Sequence, residues 1–115
     1  MADRQQYVYR FLPGDRPRLA TDPDAWTDAD NRIAEAHYRR LRKAAEDGVL
    51  ILAGLSLDGS GPAIVIFEAE DEEEGRRFMQ EDPFVEHGLF KATLHPFRAS
   101  LVRGTEGTKA RAAGR

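Results

Sequence analysis

The chain has 115 residues, 41% of them apolar, and its 20 acidic and 17 basic residues leave a net charge of −3. That length suits one small domain, and a charge so nearly balanced argues against nucleic acid as the main partner. Cysteine is absent, which excludes disulfides, thiolate chemistry and zinc–thiolate sites together. No run of about 18 apolar residues occurs, so no membrane span is expected. The opening MADRQQ has no signal-peptide core, so the expected location is cytoplasmic.

Residues 7–12 (YVYRFL) are aromatic and β-branched and are stopped by Pro13-Gly14, which predicts a first strand. Residues 13–26 read as a polar loop with three prolines. Thr27 to Asp30 has the form of a capping box, with Thr27 as N-cap and Asp30 reaching back. A helix is predicted from there to about Asp47. Ile33, His37, Leu41 and Ala44/Ala45 fall at helical spacing and define its inner face. Arg39, Arg40, Arg42 and Lys43 lie mostly outward, near the end where cations suit the helix dipole. Gly48 fits the left-handed position after the last turn.

Residues 49–57 (VLILAGLSL) and 63–68 (AIVIFE) predict a second and a third strand joined by a turn at Asp58 to Gly61. Both strands are apolar at alternate and intervening positions, so both faces of their sheet should be covered. Residues 71–80 predict a second helix whose first turn, Glu72, Glu73 and Glu74, complements the helix N-terminus. Asp82-Pro83 breaks it. A short helical turn over 83–87 ends at Gly88, and a final strand over 89–102 follows, with a bend at Pro96. The domain is expected over residues 1–103, with 104–115 a disordered tail whose last seven residues are rich in Gly, Ala and Arg.

The element order β-α-β-β-α-β predicts an α+β domain with a ferredoxin-like, four-stranded antiparallel sheet. Two helices of this size cover one sheet face. The other, also apolar, requires a cover, and a second copy of the chain, packed sheet to sheet as a homodimer, is the expected one.

Three segments carry a resemblance over roughly residues 7–102. The first is His37-Tyr-Arg-Arg-Leu41, followed by Gly48, Val49, Leu50 and Ala53-Gly54. The second is Glu68-Ala-Glu70, leading to Glu73/Glu74 and Phe78. The third is Asp82-Pro-Phe84, then Gly88-Leu89, then His95-Pro-Phe97. Together they resemble the YciI-like family (YCII-related domain), proteins of the dimeric α+β barrel type. The resemblance implies a cleft built around a His–Asp pair, which here would be His37 and Asp82. A related branch eliminates chloride from a hydroxylated ring, which implies lyase or isomerase chemistry by analogy. The chain departs from the family pattern at Ala34, where many members carry arginine, and at Leu55, where many carry proline.

Each candidate also has a plainer reading. A lone histidine on an inner helix face suits a satisfied core residue. An imidazole nonetheless titrates near neutral pH, and a carboxylate beside it would orient the ring. Asp82 before Pro83 suits an N-cap with proline at the first helical position. The two roles are compatible, since one oxygen can accept a backbone N–H while the other meets His37. Phe84 and Phe97 read first as core, with Phe84 also a candidate substrate contact. Trp26 reads as a staple at the helix start or as part of the cleft mouth, and Arg10 as a replacement for the missing family arginine. His87 and His95 lack the spacing of a helical metal site, and His95 reads as a strand surface residue. Ser56 has no evident base, and Gly59-Ser60-Gly61 joins strands instead of opening a helix, so it is no phosphate loop. No metal and no cofactor is expected. Two functions follow: a cofactor-independent enzyme acting on a small organic molecule by acid/base chemistry at His37 and Asp82, or a non-catalytic module that binds a metabolite or serves as a dimeric accessory.

Overall fold

The computed structural model describes residues 4–104. The tail expected from residue 104 therefore lies, beyond Gly104, outside the described residues. The elements are β1 (Gln5–Pro13), two 3-10 turns (Pro17–Ala20 and Pro23–Ala25), α1 (Asp28–Glu46), β2 (Leu50–Leu55), β3 (Ala63–Ala69), α2 (Glu72–Gln80), α3 (Pro83–Glu86) and β4 (Phe90–Phe97). The strands form one antiparallel sheet in the order β2-β3-β1-β4. This is the ferredoxin-like α+β arrangement, with α1 crossing between β1 and β2 and leaving room for β3 between them.

Alternation along β1 decides what each sheet face does. Tyr7 pairs with Phe67 and Pro96, and Tyr9 with Val65 and Leu94. These rows face the helices: Tyr7, Tyr9, Val65 and Phe67 are buried with Leu41 of α1 and Met79 of α2. The intervening row, Gln6, Val8, Arg10 and Leu12, lies with Ile64, Ile66, Thr93 and His95 on the face that no helix of the described residues covers. Phe97, expected in the core, belongs to this second face and is 41% exposed.

A second apolar cluster fills the other end of the helix side. Leu19, Phe84 and Leu89 are buried there, with Phe11, Trp26, Ile33 and Phe90 against them. Leu19 corrects the reading of residues 13–26 as a polar loop. The prolines instead start two tight turns that drive one leucine inward. Close approach is built in at Gly14, where a Cβ would sit 2.7 Å from the Leu89 carbonyl oxygen.

The start of α1 is as expected. The Thr27 hydroxyl accepts from the Asp30 N–H at 3.1 Å, and the Asp30 carboxylate accepts from the Thr27 N–H at 2.9 Å. Asp30 is buried and also takes a two-pronged contact from Arg16, at 2.6 and 3.0 Å. The Arg16 guanidinium, and after it the Thr27 N–H, hold the Asp30 carboxyl well below the usual carboxylate range. A carboxyl depressed in the fold stabilises it above the unfolded-chain value of about 4, and that stability drains away as pH falls from there. Asp30→Asn should therefore cost about 1–2 kcal/mol at neutral pH. Urea denaturation at neutral pH and at about pH 3 should show the gap to wild type narrowing in acid.

At its far end α1 closes on Gly48, whose φ of 80° is left-handed. Arg40, expected outward, is instead folded in. Its guanidinium lies 4.2 Å from the Phe78 ring centre, and Nη2 donates to the Phe78 carbonyl at 2.9 Å. The last strand ends at Phe97, not at residue 102. Phe97 pairs with Gln6 at the start of β1, so nothing remains beside it to pair with, and the chain turns so that the Ala99 N–H donates to the Gln6 side chain. Pro96 makes no break. β4 is an edge strand, where a missing N–H costs no ladder bond.

Candidate functional site

Asp82 stands at the corner between α2 and α3. With Pro83 at the first helical position, it caps α3 by accepting the Phe84 N–H on Oδ1 at 2.9 Å. That bond fixes the carboxylate and leaves it facing α1. Three turns into α1 from its cap, His37 presents its ring to the same point: Nδ1 is 2.8 Å from Asp82 Oδ1 and 3.1 Å from Oδ2. Both side chains are buried, Asp82 entirely.

A third partner completes the carboxylate. The Tyr9 hydroxyl, fully buried in the centre of β1, donates to Asp82 Oδ2 at 2.6 Å. Burial, and next the charge of Asp82, push the Tyr9 phenol far above its ordinary value, so it stays a donor. Asp82 thus faces the Tyr9 hydroxyl, the Phe84 N–H and His37 Nδ1. A carboxylate accepts only, so Nδ1 is the ring nitrogen that donates to it, and Nε2 is the one left free of the pair. Nε2 has no hydrogen-bond partner among the described residues and is not sealed from open space.

The ring is also held from its face. Phe84 stacks on His37 with centroids 4.1 Å apart and planes 26° apart, while Tyr38 and Phe11 meet it edge-on at 5.0 and 5.8 Å. His37 lines a cavity of about 590 Å³ between α1, the open end of the sheet and the 3-10 turns, a size in the range of small-molecule sites. Its walls are mostly apolar and include Phe11, Leu19, Leu41, Phe84 and Phe90. A second hollow of about 570 Å³ adjoins it and shares Leu19, Trp26, Tyr38 and Phe84.

The remaining candidates fall as follows. Trp26 is in the wall of both hollows. Its indole N–H donates to the Leu19 carbonyl at 2.9 Å, and its ring meets Phe84 and Phe90 at 5.9 and 6.1 Å. The staple reading lacks a partner, because the residue four into the helix is Asn31. Arg10 is exposed on the helix-free face and reaches the cavity where the β1–β3 pairing ends, at Arg10 and Ile64. His87 and His95 stand apart from the pair: His87 is 3.9 Å from its neighbour Glu86, and His95 is 3.0 Å from Thr93 on the surface of β4. Among the described residues no three His, Asp or Glu side chains converge as metal ligands, and no helix is long and apolar enough to cross a membrane.

Sequence reasoning missed Tyr9, Tyr38 and Arg42, all at or beside the site. Tyr9 had a signal. The alternation of YVYRFL puts it on the same face as Tyr7 and Phe11, and a phenol in a core needs a partner for its hydroxyl.

The family model for the YCII-related domain matches residues 17–97, a span that holds both halves of the His37–Asp82 pair. The chain belongs to the YCII-related domain family. No curated protein matches it. Membership of the YCII-related family agrees with the resemblance carried by the Asp82-Pro83-Phe84 corner and by Gly48. The matched span begins after β1, so Tyr9 and Arg10, which belong to the site's surroundings, lie outside it.

Proposed function

We propose that this protein is a cofactor-independent acid/base catalyst of the isomerase or lyase type, acting on a small organic molecule. One observation carries the reading: a buried carboxylate with three donors holds His37 by Nδ1, and His37 lines an apolar cavity. In that reading Nε2 removes a proton from carbon beside a carbonyl, and the bond's electron pair moves onto the carbonyl oxygen. The imidazolium, steadied by Asp82, then returns the proton at another carbon, or the electron pair expels a leaving group as an anion. Such a positioned acid/base contributes about 10²–10⁴-fold, and confinement in the cavity supplies further rate by fixing the reacting atoms.

Hydrogen–deuterium exchange tests it directly. Small aryl ketones and keto acids, incubated with the protein in heavy water, are expected to lose their α-proton NMR signals faster than in blanks. His37→Gln should slow that exchange by about 10²-fold or more. Exchange that persists undiminished in the variant would remove His37 from the chemistry. No exchange by the wild type across the panel would favour the metabolite-binding reading, to which Ala34, in place of the family arginine, already lends support.

The same proposal places two copies of the chain sheet to sheet. Val8, Leu12, Leu52, Ile64 and Phe97 share the helix-free face, Leu52 being 49% exposed, and a matching face would cover them. Light scattering at micromolar concentration should give twice the chain mass. A monomer there would discard this part.

A further inference from the structure

Charge is distributed unevenly around the cleft. The cationic side chains that line the His37 cavity are Arg10 and Arg42, and among the described residues no acidic one lines it. The adjoining hollow has the opposite character, with Asp22 and Asp58 in its wall. Those two carboxylates are already occupied. Asp22 is bonded to Arg18 and to the Asp24 N–H, and Asp58 accepts the Ser60 and Gly61 N–H groups.

The cations of the α1 face differ in the same way. Lys43 is bonded to Asp47, and Arg40 is spent on Phe78 and Glu81. Arg42 has no hydrogen bond or ion pair among the described residues, although it stands one helical turn beyond Tyr38 at the wall of the cavity. A free guanidinium at the rim of an apolar chamber is a fork for a carboxylate. The acids of the neighbouring hollow disfavour an anion there, which leaves it to the cavity's own cations, and of these Arg42 stands on α1, the helix that carries His37.

We infer that the cavity takes an organic carboxylate with a flat apolar body, its charge bound by Arg42 and its ring laid among Phe11, Trp26, Phe84 and the imidazole of His37. Arg10 adds to the positive field at the same chamber without being the anchor. The inference rests on the proposed reading of the cavity as the substrate site, and it is tested by binding alone, so that loss of one leaves the other standing.

Trp26, the single tryptophan, reports on that wall. Titrating the full chain with phenylacetate, phenylacetamide and phenethylamine, three probes of one shape and different charge, should shift Trp26 emission in that order of affinity. A charge-assisted, two-pronged contact at a partly exposed rim should favour the acid over the amide by about tenfold. Arg42→Met should erase that preference without weakening the amide, Arg42→Lys should keep part of it, and added salt should reduce it. Equal binding of acid and amide, a preference undiminished in Arg42→Met, or no response to any probe at millimolar concentration would each overturn the inference. A matching amide spectrum of Arg42→Met and wild type confirms that the variant is folded before it is read.

Discussion

Asp82→Asn is expected to lower turnover by about 10²–10⁴-fold with the fold kept. The amide oxygen can still accept the Phe84 N–H, so α3 keeps its cap. What goes is the negative charge. The neutral amide no longer steadies an imidazolium, and its NH₂ meets the Tyr9 hydroxyl, while the retained oxygen stays the nearer partner of His37 Nδ1 at 2.8 Å. The Tyr9 hydroxyl can rotate to accept.

Asp82→Ala goes further, because it strands a buried phenol and a buried imidazole without their partner. Removing one partner of a buried, hydrogen-bonded set costs about 3–5 kcal/mol. Denaturant unfolding should therefore separate the two variants: a small loss for the asparagine, a large one for the alanine. Tyr9→Phe belongs between them, since it withdraws one of the three donors and leaves the other two. An asparagine variant with full turnover would mean that the carboxylate is only a cap.

How much of this was legible can be traced residue by residue. The Thr27–Asp30 box, Gly48 and the Asp82-Pro83 corner are local signals, complete within four residues, and they fold as written. The meeting of His37 and Asp82 spans 45 positions, and no local rule contains it. It became readable because the corner motif pointed to a family with such a pair. Tyr9 and Arg40 escaped for a different reason. Each is amphipathic, and whether its polar end turns in or out depends on what stands opposite: a carboxylate for Tyr9, the Phe78 ring and carbonyl for Arg40. Leu19 was hidden by its company, since prolines and charges around it made a loop of what is an anchored pair of turns. Phe97 was misjudged because its side chain follows the pleat of β4, whose register with β1 puts it beside Gln6.

Phe84→Ala should lower stability by about 3–5 kcal/mol, the range for emptying a buried aromatic site. The ring sits at the centre of the site: it stacks on His37 and packs edge-on to Phe11, Trp26 and Phe90. Its backbone N–H is the cap bond to Asp82, and that bond survives the substitution. The variant therefore separates the two services of one residue, since the Asp82 carboxylate keeps its place while the imidazole loses the surface that fixes its plane. Phe84→Leu fills most of the volume, and its cost should stay near 1 kcal/mol. If packing alone matters, turnover should follow stability and recover in the leucine variant. If the flat face orients Nε2 toward the substrate, the leucine variant should be nearly as stable as wild type yet about tenfold slower, because small errors in the aim of a catalytic group are costly. The second outcome is expected, since the 26° stacking at 4.1 Å leaves the imidazole little freedom that a branched aliphatic chain could equally remove.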